Sequence, residues 1–326
     1  MSFKDILGQS NAIHLLQNAL TSEKLSGAYL FAGPGGVGKR FTARQLAKAL
    51  NCEKEKMEGC DRCLSCRKMD AGTHPDLLWV EPKEKAVQIS IEAIRELKRE
   101  VALRPWEGSR RVVVFPEAER ATEEAQNAFL KILEETPGGS LILLTSVKTE
   151  GILPTVLSRC KQVRFEPIPR ETIQKFLTEQ RGIGPEEATL LATLSHGSLG
   201  KALAMKEENF IDKRPDLLSQ FLEKSSRVDE EREFFGEQSE VRSALDLLIS
   251  WYRDLWMVKE GSSQDLLFHK DRLTDLQKES SHWSQGSLEA ALSELLDSQD
   301  HLDHHVNVKL LLFLLSRRMK VLQGGS

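Results

Sequence analysis

This 326-residue sequence is poor in several things at once. Aromatics make up 6% of it, with two tyrosines, and it has 11 prolines and five cysteines. A collagen-like, disordered or disulfide-dense chain is thereby excluded. Long apolar runs are missing: the longest is Leu310 to Leu315, far short of the roughly 20 residues that span a bilayer. The start, Met1-Ser2-Phe3-Lys4-Asp5, lacks a charged segment followed by an apolar one, so no secretory signal is expected. An excess of one charge is missing too. Against 45 Lys plus Arg stand 49 Asp plus Glu, a net charge of −4, which excludes a chain basic all over and still permits a local basic face. What is present, 40% apolar residues over this length, suits two or three compact units.

The few cysteines are concentrated. Cys52, Cys60, Cys63 and Cys66 fall in one short segment, and Cys160 stands apart. The two-residue spacings let one turn present two sulfurs to a tetrahedral ion. Four thiolates suit zinc; an iron–sulfur cluster and free thiols are the alternatives. A reducing, cytoplasmic compartment fits this pattern. Four protein ligands leave no open position, so the expected role of the zinc is structural.

In the first half, apolar runs alternate with helical periods. Ala28 to Ala32, Leu77 to Val80, Val112 to Phe115, Leu141 to Thr145 and Val163 to Phe165 read as buried strands. Ala43, Leu46, Ala47 and Leu50 share one helix face; Ala125, Ala128, Phe129, Ile132 and Leu133 share another, stopped by Thr136-Pro137-Gly138-Gly139. The expected fold class is therefore α/β, with a parallel sheet covered on both faces. After Glu166-Pro167-Ile168-Pro169 only helical patterns remain, interrupted by a charged stretch from Lys224 to Glu240 that reads as a solvated helix or linker. Val241, Leu245, Leu248, Tyr252 and Leu255 form one apolar face, and Leu288, Ala291, Leu292 and Leu295 another. Trp251 and Trp256 are expected in that helical core, and the helix through Leu310 to Leu315, apolar all round, is expected to be buried, partly against a neighbouring subunit.

Gly33-Pro34-Gly35-Gly36-Val37-Gly38-Lys39 follows the first strand and opens a helix, the context that a phosphate-binding loop requires. Gly33, Gly35, Gly36 and Gly38 let backbone N–H groups curl around phosphate oxygens, and the Lys39 ammonium attracts the anion. Arg40 occupies the next position, where a Ser or Thr hydroxyl would hold Mg²⁺. Thr42 lies roughly 200° around the helix and does not substitute. The strand Val112 to Phe115 ends in Pro116 where an Asp would hold the metal, leaving Glu117 to polarise water without a fixed ion. ATP or ADP binding without turnover is the expectation.

Phe3-Lys4-Asp5-Ile6-Leu7-Gly8-Gln9, the glycine loop, the four cysteines, Ala71-Gly72-Thr73-His74-Pro75-Asp76, Asn127-Ala128-Phe129-Leu130-Lys131-Ile132-Leu133-Glu134-Glu135 and Leu157-Ser158-Arg159-Cys160 occur in that order. Together they resemble the AAA+ subunits of the bacterial sliding-clamp loader, and most specifically the delta-prime family of DNA polymerase III. The motifs cover roughly the first two hundred residues. The resemblance implies an AAA+ core with a zinc-binding insertion at residues 1–166, with the zinc module at about 52–66. A helical lid at 167–207 and an all-α collar domain at 208–326 complete the expected architecture. It implies a hetero-pentamer with tau/gamma and delta subunits that loads the sliding clamp on primer-template DNA, with no membrane involved. Such a chain belongs to a DNA-directed DNA polymerase holoenzyme and is not an active ATPase by itself. Arg159 matches the family's arginine finger, which reaches in trans to the ATP of a neighbour and stabilises charge on the transferred phosphoryl group. Gly200 stands where active tau/gamma subunits place a phosphate-sensing arginine, with Lys201 after it. Thr145 and Ser146 sit where the family's polar sensor lies.

Other candidates are weaker. His301, His304 and His305 with Asp300 and Asp303 suit a solvated helix end better than a second metal site. His74 reads as structural. Lys98, Arg99, Arg104, Arg110 and Arg111 form either a basic face towards DNA or scattered solvated charge, since Glu96, Glu100 and Glu107 intervene. A hydrolytically active tau/gamma-like ATPase, and a zinc-dependent nucleic-acid binder outside replication, are the competing readings.

Overall fold

The computed structural model of the chain describes residues 3–22, 25–55, 58–81, 88–134, 140–214, 238–303 and 307–324. The stop at Thr136 to Gly139, most of the charged stretch from Lys224, and His304 and His305 lie outside the described residues. Two compact units are formed: Met1–Ile173 with Gly197–Lys201, and Gln174–His196 with Ala202–Ser326.

The first unit is built on five parallel strands: β1 (Gly27–Ala32), β2 (Leu77–Trp79), β3 (Arg111–Phe115), β4 (Ser140–Ser146) and β5 (Cys160–Arg164), in the order β2-β3-β4-β1-β5. Leu30 is in register with Leu144, and Val113 with Ile142. Side chains alternate between the two faces of a strand. Tyr29, Phe31, Val112, Val114, Leu141 and Leu143 thus enter one core with α1 (Ser10–Thr21) and α2 (Lys39–Asn51). Leu30, Val113, Phe115, Ile142 and Leu144 enter the other with α4 (Ile91–Val101) and α5 (Glu123–Glu134). Burial on both faces is why β3 and β4 read as continuous apolar runs. The short α3 (Leu64–Asp70) lies within the cysteine segment, and α6 (Pro154–Leu157) precedes β5.

The fifth strand departs from expectation. It spans Cys160–Arg164 instead of Val163 to Phe165. As an edge strand it exposes Lys161, Gln162 and Arg164 and buries Val163, so its sequence carries no apolar run.

α7 (Arg170–Arg181), α8 (Pro185–Leu194) and α9 (Leu199–Glu207) follow, and among the described residues four further α-helices complete the second unit. These are α10 (Gln238–Lys259), α11 (Leu273–Ser280), α12 (Gln285–Asp303) and α13 (Val308–Gly324). α10 packs on α11 and α12, and α13 packs on α12. The expected faces are the buried ones: Val241, Leu245, Leu248, Tyr252 and Leu255 on α10, Leu288, Ala291 and Leu295 on α12. Trp251 is buried and Trp256 half-buried. Between α10 and α11, Asp254 accepts the backbone N–H groups of Phe268 and His269, both at 2.7 Å.

Within the single chain the expected burial of Leu310 to Leu315 is only partial. Leu311, Leu312 and Leu315 are buried, whereas Leu310 is 52% exposed and Phe313 and Leu314 are exposed with it. A helix turns 3.6 residues per revolution, so packing against one neighbour covers one stripe only. Among the described residues no helix is long and apolar enough to cross a membrane.

Candidate functional site

The phosphate loop runs from the end of β1 to the start of α2, and Gly33, Gly35, Gly36, Gly38 and Lys39 lie along it as the motif requires. Two of its glycines are dictated by close approach. A Cβ on Gly33 would stand 2.2 Å from the carbonyl oxygen of Phe165, and one on Gly36 2.2 Å from Ser198 Oγ. The loop is filled from within. Lys39 is only 7% exposed, and its Nζ donates to the carbonyl oxygens of Gly33 and Pro34, the latter at 2.5 Å. Burial pulls the ammonium pKa down to about 8, against the attraction of Glu119 and Glu117. From above, Gly200 donates its N–H to the Gly36 carbonyl at 2.9 Å.

The metal-holding positions look elsewhere. Arg40 pairs with Glu81, and its guanidinium lies 5.1 Å from the centre of the Trp79 ring, with that of Arg44 at 5.7 Å. Cation–π contact and the carboxylate hold Arg40 at the end of β2. Beyond Pro116, Glu117 adopts a left-handed conformation, pairs with Arg120 at 2.7 Å and donates its N–H to Thr145 Oγ1 at 3.2 Å. Glu119 accepts from Val147 N–H through Oε1, while its buried Oε2 has no partner among the described residues. Ser146 Oγ bonds the Lys148 carbonyl at 2.8 Å.

The four sulfurs of Cys52, Cys60, Cys63 and Cys66 lie within 4.8 Å of one another. A tetrahedral ion with bonds of about 2.3 Å to sulfur requires separations of about 3.8 Å, so the set fits a metal. Backbone donors face three of the four sulfurs. Backbone N–H groups of Glu55, Cys63 and Cys66 donate to the sulfurs of Cys52, Cys60 and Cys63 at 3.2, 3.3 and 3.4 Å. Hydrogen bonds from the Arg62 and Cys63 backbone draw the Cys60 thiol down to about 6, whereas burial drives the Cys66 thiol up. Among the described residues no other group of three or more His, Cys, Asp and Glu is close enough to share an ion.

A polar chain leads away from this cluster. Ser65 Oγ bonds the Asn51 carbonyl at 2.8 Å and His74 Nε2 at 3.2 Å; His74 Nδ1 accepts from Asp76 N–H at 3.1 Å. The fully buried Asp76 carboxylate then accepts the backbone N–H groups of Trp106, Glu107 and Gly108 at 2.8, 2.9 and 2.7 Å and pairs with buried Arg111 at 3.3 Å. Burial opposes its ionisation, but these donors together hold the carboxyl below the usual range. Arg110 is also committed inward, to the Leu25 carbonyl. Arg110 and Arg111 therefore leave the basic face proposed with Lys98, Arg99 and Arg104.

Arg159, between α6 and β5, is exposed at 37% of its side chain. Its Nε and Nη2 donate to Glu134 Oε1 at 2.9 and 2.6 Å, and Nη1 to the Thr155 carbonyl at 3.0 Å. Burial raises the neighbouring Cys160 thiol to about 11.

Residues 8–169 match the family described as DNA polymerase III, delta subunit, and residues 208–316 match the C-terminal family of the same description. The delta-prime subunit of DNA polymerase III from Bacillus subtilis is 28% identical over 92% of this chain and 93% of its own. The chain belongs to the DNA polymerase III delta-subunit family that these two models describe. A delta-prime subunit from Pseudomonas aeruginosa is 40% identical over 41% of this chain and 42% of its own. The tau subunit of Escherichia coli is 32% identical over 64% of this chain, which spans about a third of that longer protein. Among solved structures, a gamma subunit-related protein of Thermotoga maritima covers 95% of this chain at a TM-score of 0.48 and 18% identity.

Within this α/β core, two residues carry more than their sequence suggested. Gln9 bonds both the carbonyl (2.7 Å) and the N–H (3.0 Å) of Glu166, tying the segment after β5 to the chain start, and reaches the Val37 carbonyl at 3.4 Å. Lys48, with a fully buried side chain, pairs with Asp61 in the cysteine turn and with Asp70 at 2.8 Å. Lys48 shares its helix face with Arg44, Gln45 and Asn51, so the sequence carried no signal that it would be buried.

Proposed function

We propose that this chain acts as a delta-prime-like member of the DNA polymerase III clamp loader, lending Arg159 in trans to ATP held by an adjoining tau/gamma subunit. It works with tau/gamma and delta in a hetero-pentamer that places a sliding clamp on primer-template DNA, in the cytoplasm. Family membership supports the loader role. The observation that carries the finer reading is Arg40: at the position of the metal-holding hydroxyl, a guanidinium is committed to Glu81 and Trp79. A cation there repels Mg²⁺, and Pro116 supplies no ligand. Arg40 and Pro116 together support weak or absent turnover, while the retained glycines and Lys39 leave ATP or ADP binding open. Zinc on Cys52, Cys60, Cys63 and Cys66 would be structural, all four positions being taken by protein. Residues 1–166 would serve as nucleotide-fold core, 167–207 as lid and 208–326 as collar. The purified chain should show no appreciable ATPase, and Arg159→Ala should depress that of the assembled loader; robust turnover by the lone chain would defeat this reading.

A hydrolytically active, tau/gamma-like ATPase is the second reading, favoured by the retained Lys39 and by 31–32% identity to tau subunits. It predicts Mg²⁺-dependent turnover of the isolated chain that Lys39→Ala abolishes.

A further inference from the structure

We infer that Glu134 is the positioning residue for the Arg159 guanidinium, an inference that rests on the finger reading above. A guanidinium carries five N–H groups in one plane. Glu134 Oε1 takes two of them, from Nε at 2.9 Å and Nη2 at 2.6 Å, and the Thr155 carbonyl takes one from Nη1 at 3.0 Å. Among the described residues, one N–H on Nη1 and one on Nη2 are left. Because the carboxylate grips the Nε–Nη2 edge, the remaining Nη2 donor faces the end of the group shared with Nη1. An arginine gripped by its side edge keeps donors at its tip for phosphoryl oxygens.

The two anchors come from different parts of the unit. Glu134 ends α5, whose buried Phe129, Ile132 and Leu133 fix it to the sheet. Thr155 belongs to α6, held by buried Val156. A long side chain standing free on a surface samples many rotamers, and each must be given up when a partner's phosphate is engaged. Here Glu134 and the Thr155 carbonyl restrict that sampling beforehand, so the group favours one orientation. As a half-exposed pair it contributes little to the stability of the fold. Removing Glu134 thus disturbs orientation, not folding.

The test uses the assembled loader, with Glu134→Ala, Glu134→Gln, Arg159→Ala and the double variant, each checked for assembly by gel filtration. Glu134→Ala should lower the loader's kcat for ATP roughly tenfold with KM nearly unchanged, the effect of a misplaced charge. Glu134→Gln, which keeps an acceptor oxygen, should fall between. In the Arg159→Ala background, removing Glu134 should cost nothing more. A wild-type or raised rate for Glu134→Ala would overturn the inference, the raised rate marking Glu134 as a lock. An equal further loss in the Arg159→Ala background would overturn it as well, by showing that Glu134 acts through something else. Should Arg159→Ala itself leave the rate unchanged, the finger reading fails and this inference with it; an effect of Arg159→Ala without one of Glu134→Ala defeats the inference alone.

Discussion

Gly200 meets Gly36 backbone to backbone: the N–H of one donates to the carbonyl of the other at 2.9 Å, and a Cβ on Gly200 would stand 3.0 Å from Gly36 Cα. The position that active relatives in the resemblance give to a sensing arginine is here a contact that only a residue without a side chain makes without displacement. Gly200→Ala should therefore destabilise the chain by about 1–2 kcal/mol, the range for forcing atoms into a packed contact. Denaturant titration measures this; an unchanged midpoint would show that the segment is free to lift.

Lys39 makes stability depend on pH in a defined direction. Its folded pKa, about 8, lies below the ordinary 10.5, so between those values the unfolded chain binds more protons. Its contribution to stability should rise as the pH climbs through that window, by about 2–4 kcal/mol in total, and be constant below it. Lys48, raised by Asp61 and Asp70 in spite of burial, works the other way at higher pH. The quantity to measure is the difference between wild type and Lys39→Met at pH 7.5 to 10. A flat difference would mean that the ammonium is solvated.

Asp76 and Arg111 form a pair with both side chains fully buried. Removing one partner strands a charge, so Asp76→Ala should cost about 3–5 kcal/mol. Because its folded pKa is lowered, the stability that Asp76 contributes is fully present above about pH 4 and is lost as pH falls through the folded value. A loss near 1 kcal/mol in urea unfolding would show that water reaches Arg111.

Metal removal should be felt beyond the cysteines. Ser65, Asn51, His74 and Asp76 link that segment to the backbone of residues 106–108, and Trp106 is 70% exposed there. Chelation, or Cys63→Ser, should speed amide exchange at 106–108 as well as at 52–66. Protection at 106–108 that survives loss of the metal would break the proposed link.

The exposed row Leu310, Phe313 and Leu314 on α13 suits a contact with another subunit under the proposed function. Leu310→Glu with Leu314→Glu should leave the unfolding midpoint of the lone chain within about 0.5 kcal/mol, as for surface changes. It should also weaken its assembly with the partner subunits by at least tenfold. Assembly at wild-type affinity, measured by sedimentation, would remove this face from the interface.

Patterns local in the chain were legible before any coordinates. Strands buried on both faces announce themselves as apolar runs, a glycine loop between strand and helix as a phosphate site, and cysteines two residues apart as paired ligands. β5 was read three residues late, at Val163 to Phe165, because an edge strand needs no apolar run. The exposed half of Leu310 to Leu315 escaped because an apolar residue does not say which neighbour covers it. Arg110 and Arg111 read as surface charge until the fold gave them the Leu25 carbonyl and Asp76.

Backbone conformation and ligand chemistry depend on neighbours a few residues away, so the sequence by itself determined the α/β core, the thiol cluster and the absence of a metal-holding hydroxyl after Lys39. Contacts such as Arg40 with Glu81, Gly200 with Gly36 and Arg159 with Glu134 join residues 41, 164 and 25 positions apart. Only tertiary structure decided them, because which distant groups meet depends on how the sheet and its helices pack.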